Sequence, residues 1–384
     1  MNSTQHFKTL VPEYLRTLKV YQSGKPIEEL AREKGLTRIS KLASNENPLG
    51  PSPLVSEAIK EKLPEIHRYP DQHAFELKRK LCEIYSLKPE NIILGNGSEG
   101  IMGYIVRAFL SPGSEVLTSE MSFIGFSILA QSVGAKLITL PQTPDHRFDI
   151  KTIALNITEN TKIIYIANPN NPTGTFIRRE EFDHFMKFVP PHVLVILDEA
   201  YFEYAIHDRN DKDFPDSMDY RYDNVITLRT FSKAYGMAGL RVGYGFAHED
   251  LIMNLTKVKL PFEPNLLAQA GARAALDDND HLQKSLVHNE RFKTKLYRFL
   301  DEKSFEFLKS ATNFVTFRTG SEEASKYLFD SLLDEGVIIR PLVANGMPDF
   351  VRVSIGTEDE MGHFFESMDK ILPNYDRRFG RPHL

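Results

Sequence analysis

Thr230-Phe231-Ser232-Lys233-Ala234-Tyr235-Gly236-Met237-Ala238-Gly239-Leu240-Arg241 sets the terms on which the rest of the chain is read. A lone lysine sits among hydroxyls, small residues and apolar side chains, with an arginine eight positions later. Poor solvation and a nearby cation both disfavour the ammonium form. An amine with a lowered pKa is the nucleophile that Schiff-base chemistry requires. Thr230, Ser232 and Arg241 offer donors to an anion beside it, a phosphate above all. Taken alone, the segment reads equally well as an ordinary solvated lysine, so the decision rests on what surrounds it.

Outward from it, short apolar strands alternate with longer helical stretches, the strands falling at 92–94, 115–118, 135–139, 162–166, 193–197, 225–228 and 242–245. Most are β-branched and continuous in hydrophobicity, as strands covered on both faces are. The alternation predicts an α/β domain with a mainly parallel sheet flanked by helices. Ahead of it, 25–35 reads as a short helix with Pro26 in its first turn and Gly35 as its stop, and 41–53 as a strand breaking into a turn-rich loop. Helices follow at 54–63 and 74–85, the latter with Leu77, Leu81, Ile84 and Tyr85 on one face and Cys82 packing beside it. After a helix at 268–276 the texture changes to a charged helix at 281–300, short strands at 314–318, 337–340 and 351–355, and a closing helix. The expected organisation is an N-terminal arm with part of a small domain (1–45), a large domain (46–275) and a small α+β C-terminal domain (276–384).

Composition narrows the function classes. At 384 residues the chain exceeds one ordinary domain, and 41% hydrophobic with 26% charged residues is usual for a globular protein. Its 47 basic and 52 acidic residues are evenly mixed, net −5, which argues against nucleic acid or an anionic membrane as partner. The first eight residues carry no apolar signal core, and no run is long enough to span a bilayer. Cys82 is the only cysteine, so a reducing cytoplasm is the expected home. No two histidines sit at ligand spacing beside a third donor, and no metal site is expected.

Gly95-Asn96-Gly97-Ser98-Glu99-Gly100 matches G-x-G-x-x-G directly after a strand, with Glu120 further on, so a dinucleotide-binding dehydrogenase has to be weighed. The narrower inference is that glycines and Ser98 opening a helix cradle some phosphate with backbone N–H groups. Two more segments end predicted strands, where open α/β sheets place their ligands. In Asn168-Pro169-Asn170-Asn171-Pro172-Thr173-Gly174 the Asn-Pro steps fix the backbone and present Asn171 as a donor. In Leu197-Asp198-Glu199-Ala200-Tyr201 the carboxylate of Asp198 follows an apolar run and needs a cationic partner, unless it merely caps a helix. A Schiff-base lysine, a phosphate cradle, a carboxylate for a ring nitrogen, and Asn and Tyr for a ring hydroxylate match pyridoxal 5′-phosphate (PLP). NAD requires neither the lysine adduct nor the carboxylate.

The chain resembles the fold-type I PLP-dependent aminotransferases, and within them the histidinol-phosphate aminotransferases. The resemblance runs nearly end to end, through Tyr21 with 24–30, Leu42-Ala43-Ser44-Asn45-Glu46-Asn47-Pro48-Leu49-Gly50, Arg68-Tyr69-Pro70-Asp71, 95–98, the segments quoted above, and Arg352-Val353-Ser354-Ile355-Gly356-Thr357. It implies that Lys233 bonds the cofactor and shuttles protons, that Asp198 pairs with the pyridinium nitrogen, and that Asn171 and Tyr201 hydrogen-bond the ring oxygen. It places the phosphate on Gly97-Ser98 with Thr230, Ser232 and Arg241, and Phe123 on the ring face. Tyr69 would reach the neighbouring subunit's phosphate, implying a homodimer with shared sites. Arg352 would grip the substrate anion, with Asn45 and Tyr21 in the closing loop. Glu99-Gly100, Phe123 and Glu263 depart from the usual Asp-Glu, Tyr and Asn, and Glu263 is expected to bear on substrate choice. The implied reaction is a ping-pong transamination between glutamate and a keto acceptor. The alternatives are an aromatic amino-acid aminotransferase, a PLP lyase, a silent PLP-binding protein and the dehydrogenase.

Overall fold

The computed structural model describes residues 10–18, 32, 34–207, 213–218 and 222–380. Tyr21 and nearly all of the helix expected at 25–35 lie outside them. The strands are β1 (Ser40–Lys41), β2 (Ile92–Gly95), β3 (Glu115–Ser119), β4 (Lys136–Leu140), β5 (Thr161–Ala167), β6 (Leu194–Asp198), β7 (Val225–Thr230), β8 (Gly243–Phe246), β9 (Phe314–Arg318), β10 (Val337–Ile338), β11 (Arg340–Leu342) and β12 (Met347–Ser354). Seven form one sheet in the order β2-β8-β7-β6-β5-β3-β4. All its neighbours pair in parallel except β8, which is antiparallel to both β2 and β7. The cause is local: the link from β7 to β8 holds only a 3-10 turn at Ala238–Leu240, and a strand that returns without a crossover helix must run back. β9, β11 and β12 form a second, antiparallel sheet, while β1 pairs in parallel with β10. The single strand expected at 337–340 is thus two short ones serving different sheets.

Strand register assembles one end of the large sheet. Gly243 of β8 stands opposite Gly95 of β2 on one side and Thr230 of β7 on the other. The start of the helix Gly97–Phe109 therefore lies beside the segment that follows Thr230. The carboxyl ends of β3, β5, β6 and β7 open toward the same side, because those strands are parallel.

Packing explains where patterning holds and where it slips. β5 and β6 are buried almost throughout between helices, whereas β4, at the sheet edge, exposes Lys136 and Thr139. In the helix Phe75–Tyr85, Leu77 and Leu81 are buried but Ile84 is 46% exposed, since the last turn overruns the core that the first two turns cover. Cys82 is half-buried against the cluster around Leu81 and Phe246, and burial pushes its thiol pKa up, which suits packing rather than attack. Between β6 and β7 a fully buried Arg229 bonds Glu199 Oε2 through Nε at 2.9 Å and meets Asp216 Oδ1 at 3.0 Å. Its guanidinium lies 3.3 Å from the Phe202 ring centroid.

Gly243 tests the register. A Cβ there would stand 2.5 Å from Ser98 N, 2.6 Å from Gly97 C and 2.9 Å from Arg229 O, all backbone atoms that cannot swing away. Gly243→Ala is expected to cost about 1–3 kcal/mol of stability, read as a lower denaturation midpoint with an unchanged slope.

Candidate active site

Beyond the carboxyl ends of β5, β6 and β7 lies a cavity of about 320 Å³ whose walls include Ser98, Glu99, Phe123, Asn171, Asp198, Tyr201, Thr230, Ser232, Lys233 and Arg241. Asp198 ends β6 and is 6% exposed. Its Oδ2 accepts from the Tyr165 hydroxyl at 2.7 Å, while its buried Oδ1 has no hydrogen-bond partner. Burial raises its pKa to about 6 against the pull of the Tyr165 bond, the Ala200 backbone N–H and Lys233. A cation delivered to Oδ1 would reverse that penalty.

Lys233 enters the cavity from the loop after β7. Gly236, at φ 68, lets this loop run against the turn-rich segment, where a Cβ would meet Gly50 O at 2.3 Å. Asn47 clasps the two segments, its Nδ2 donating to Ala234 O at 2.8 Å. Lys233 Nζ donates to Ser44 O at 3.4 Å and sits 5.7 Å from the Tyr201 ring centroid. Its pKa falls to about 8, first through desolvation and then through the charge of Arg352, with Glu46 opposing and Arg241 contributing less. The sequence credited Arg241 with that cationic influence. The larger share comes from Arg352 on β12, which only folding brings near.

Arg241 does other work. Its Nη1 donates to Ser232 Oγ at 3.3 Å, and its guanidinium lies over Gly97, where a Cβ would come within 2.7 Å of Nη2. Glu99 Oε2 lies 4.0 Å from the same Nη2. Arg241, Ser232, Thr230 and the start of the Gly97–Phe109 helix thus form a cationic, donor-rich corner fit for a dianion. Across the cavity both Asn-Pro bonds are cis. Asn168 and Asn170 are spent on fixing their loop: Asn168 Oδ1 accepts from Ile177 N, and Asn170 bonds Thr173 and, across to the segment after β3, Ser122 and Met121 O. Asn171 is the member that faces the cavity, and its Oδ1 accepts from Arg352 Nη1. Arg352 Nη2 also donates to Ala43 O at 2.7 Å.

Some expected residues lie elsewhere. Asn45 does not wall the cavity; it bonds Tyr201 Oη from behind at 2.8 Å. Tyr69 is 80% exposed, does not wall the cavity, and stacks on Phe262 at 4.3 Å. Glu263 accepts from Asn96 Nδ2 at 2.7 Å and from the Tyr104 hydroxyl, so it braces the helix Gly97–Phe109 instead of lining the cavity. Tyr165 was missed because a strand tyrosine looks like any core aromatic. The Arg229–Glu199 pair left a readable signal, opposite charges inside two apolar strand ends. Among the described residues no group of three His, Cys, Asp or Glu could hold a metal ion, and no helix is long and apolar enough to cross a membrane.

With this geometry in place, comparison with known proteins defines the class. The model of the aminotransferase class I and II family matches residues 37–368, and the chain belongs to that family. It is a PLP-dependent transaminase acting on small molecules, which sets aside the dinucleotide reading of 95–100. The chain is 41% identical to histidinol-phosphate aminotransferase 2 of Carboxydothermus hydrogenoformans, over 94% of its length and 99% of the relative's. It is 42% identical to histidinol-phosphate aminotransferase 2 of Methylococcus capsulatus, over 95% and 98%. The crystal structure of histidinol-phosphate aminotransferase from Sinorhizobium meliloti in complex with pyridoxal 5′-phosphate superposes with a TM-score of 0.86 at 29% identity, covering 95% of this chain and 98% of that one. Aspartate aminotransferase of Thermotoga maritima, at 20% identity and a TM-score of 0.82, shares the fold.

The raised pKa of Asp198 makes a signed prediction. In the cofactor-free protein the folded state binds this proton more tightly than the unfolded chain, so stability falls as pH rises from the ordinary value of 3.8 to about 6. Asp198→Asn removes that share of the loss, about 3 kcal/mol by the size of the shift. Thermal midpoints of cofactor-free wild type and variant, compared below and above this window, should diverge on the alkaline side in favour of the variant.

Proposed function

We propose that this chain catalyses the reversible transfer of an amino group between L-histidinol phosphate and 2-oxoglutarate, giving imidazole-acetol phosphate and glutamate, a step of histidine biosynthesis. The observation that carries the reading is the pairing, in one cavity, of a buried carboxylate oxygen without a partner and a lysine of lowered pKa. The relatives of 41% and 42% identity support the choice of substrate.

The residues fit PLP. Asp198 Oδ1 answers a protonated ring nitrogen, the corner of Ser98, Thr230, Ser232 and Arg241 answers the phosphate, and Phe123 covers a ring face. When bound, the cofactor supplies an aldehyde that condenses with amines and a ring that takes up the electrons left when a bond to Cα breaks. Asp198 holds the proton on the ring nitrogen, which keeps that ring electron-poor. Lys233 Nζ, with its pKa near 8, would take up the proton of the substrate Cα and pass it on, acting as base and then as acid. Tyr201 and Asn171 hydrogen-bond the ring oxygen. Arg352 binds the substrate's anionic group, carboxylate or phosphate, with a planar guanidinium suited to either.

The same reading assigns the assembly. Tyr69, exposed beside Phe262, would reach the phosphate of a second copy, so that two chains share their sites in a homodimer. On this reading residues 46–275 are the large cofactor-binding domain, 276–384 the small domain, and 1–45 an N-terminal arm that contributes to the small one, and the enzyme works in the cytoplasm.

Lys233→Ala is expected to reduce turnover to background while the variant still folds, and retained turnover would overturn the assignment. Steady-state kinetics should give imidazole-acetol phosphate a kcat/KM at least about tenfold above that of phenylpyruvate. The reverse order would assign the chain to aromatic amino acids.

A further inference from the structure

Asn45 is 2% exposed and sits at φ 56, a conformation asparagine and glycine tolerate. Every polar group it carries is engaged. Its N–H donates to Ser354 Oγ at 2.9 Å, its carbonyl accepts from Asn313 Nδ2 at 3.0 Å, its Oδ1 accepts from Ser354 Oγ at 2.9 Å, and its Nδ2 donates to Tyr201 Oη at 2.8 Å.

The amide cannot be turned round without loss. Ser354 is 3% exposed, and its oxygen already receives the Asn45 N–H. Its own proton needs an acceptor, and Asn45 Oδ1 is that acceptor. Nδ2 therefore faces the phenol. A phenol oxygen that accepts an N–H must send its own proton elsewhere, and the acceptance makes that O–H a stronger donor. Tyr201 walls the cavity, and on the reading proposed above the strengthened donor serves the cofactor's ring oxygen there. Ser354 stands two residues beyond Arg352 on β12, on the same face of the strand. One hydrogen-bonded chain thus joins the strand that carries Arg352 to the phenol beside Lys233.

We propose that Asn45 is a positioning residue: its amide fixes the direction of the Tyr201 hydroxyl proton toward the ring oxygen of the cofactor, and Ser354 registers that direction to the strand bearing Arg352. The proposal rests on the reading of Tyr201 as donor to that oxygen.

Asn45→Gly removes the side chain while keeping a backbone that φ 56 suits. The holoenzymes of wild type, Asn45→Gly, Tyr201→Phe and the double variant are compared by the PLP dissociation constant and by the pH midpoint of the cofactor's visible band. A donor to the ring oxygen favours its anionic form, so losing the donor raises the midpoint. Asn45→Gly should weaken PLP binding about fivefold and raise the midpoint by about half a pH unit, as loss of one hydrogen bond implies. Tyr201→Phe should do at least as much, and the double variant no more than Tyr201→Phe. A wild-type midpoint in Asn45→Gly beside a shifted one in Tyr201→Phe overturns the role of Asn45 alone. An Asn45→Gly shift that persists in the Tyr201→Phe background shows a merely structural role and overturns it too. An unmoved Tyr201→Phe overturns the reading of the phenol, and the proposal with it.

Discussion

A buried carboxylate with one oxygen left unanswered is the constraint around which this molecule is arranged. Asp198 sits at the end of a fully apolar strand, where an unpartnered charge is among the most costly things a protein can contain. Its neighbour Glu199 is buried as deeply, yet Arg229 answers it from the adjacent strand. Two consecutive acids thus have opposite fates. One is neutralised by the chain itself and ties β6 to β7; the other keeps its debt for a ligand. Tyr165 takes one oxygen of Asp198 and so orients the other. Specificity for a cationic heterocycle follows from this division more than from the shape of the cavity.

The lysine gains its character from the same economy of charge. Desolvation alone would lower its pKa, and the guanidinium of Arg352 lowers it further. The guanidinium that bonds Asn171 therefore also keeps the amine ready to give up its proton. Asn171 stands between them, facing the cavity while accepting from Arg352.

Much of this was legible in the sequence because each cavity residue follows an apolar run and so marks a strand end: Asn171 after β5, Asp198 and Tyr201 after β6, Lys233 after β7. The parallel sheet and its strands were legible for the same reason. What escaped notice depends on distant pairings. Asn45 meets Tyr201 across 156 residues and Ser354 across 309, and no local pattern encodes either contact. Glu263 drew attention as a departure from the family, but its carboxylate is spent on Asn96 and Tyr104. The reversed direction of β8 was missed because a short apolar run carries no sign of polarity; only the brevity of the link from β7 gives it away.

That reversed strand bears on how the chain is made. β2 touches the large sheet only through β8, so the strand that emerges early from the ribosome waits for one completed some 150 residues later, as their pairing shows. Until then β2 has no strand to pair with, although the helix it feeds can already pack on the core of the middle strands. During synthesis the middle strands β3 to β7 can order among themselves, and β8 then joins β2 to β7 and sets Gly95 and Thr230 on either side of Gly243. The far edge of the sheet is therefore laid down last, by a strand made some 150 residues after its partner.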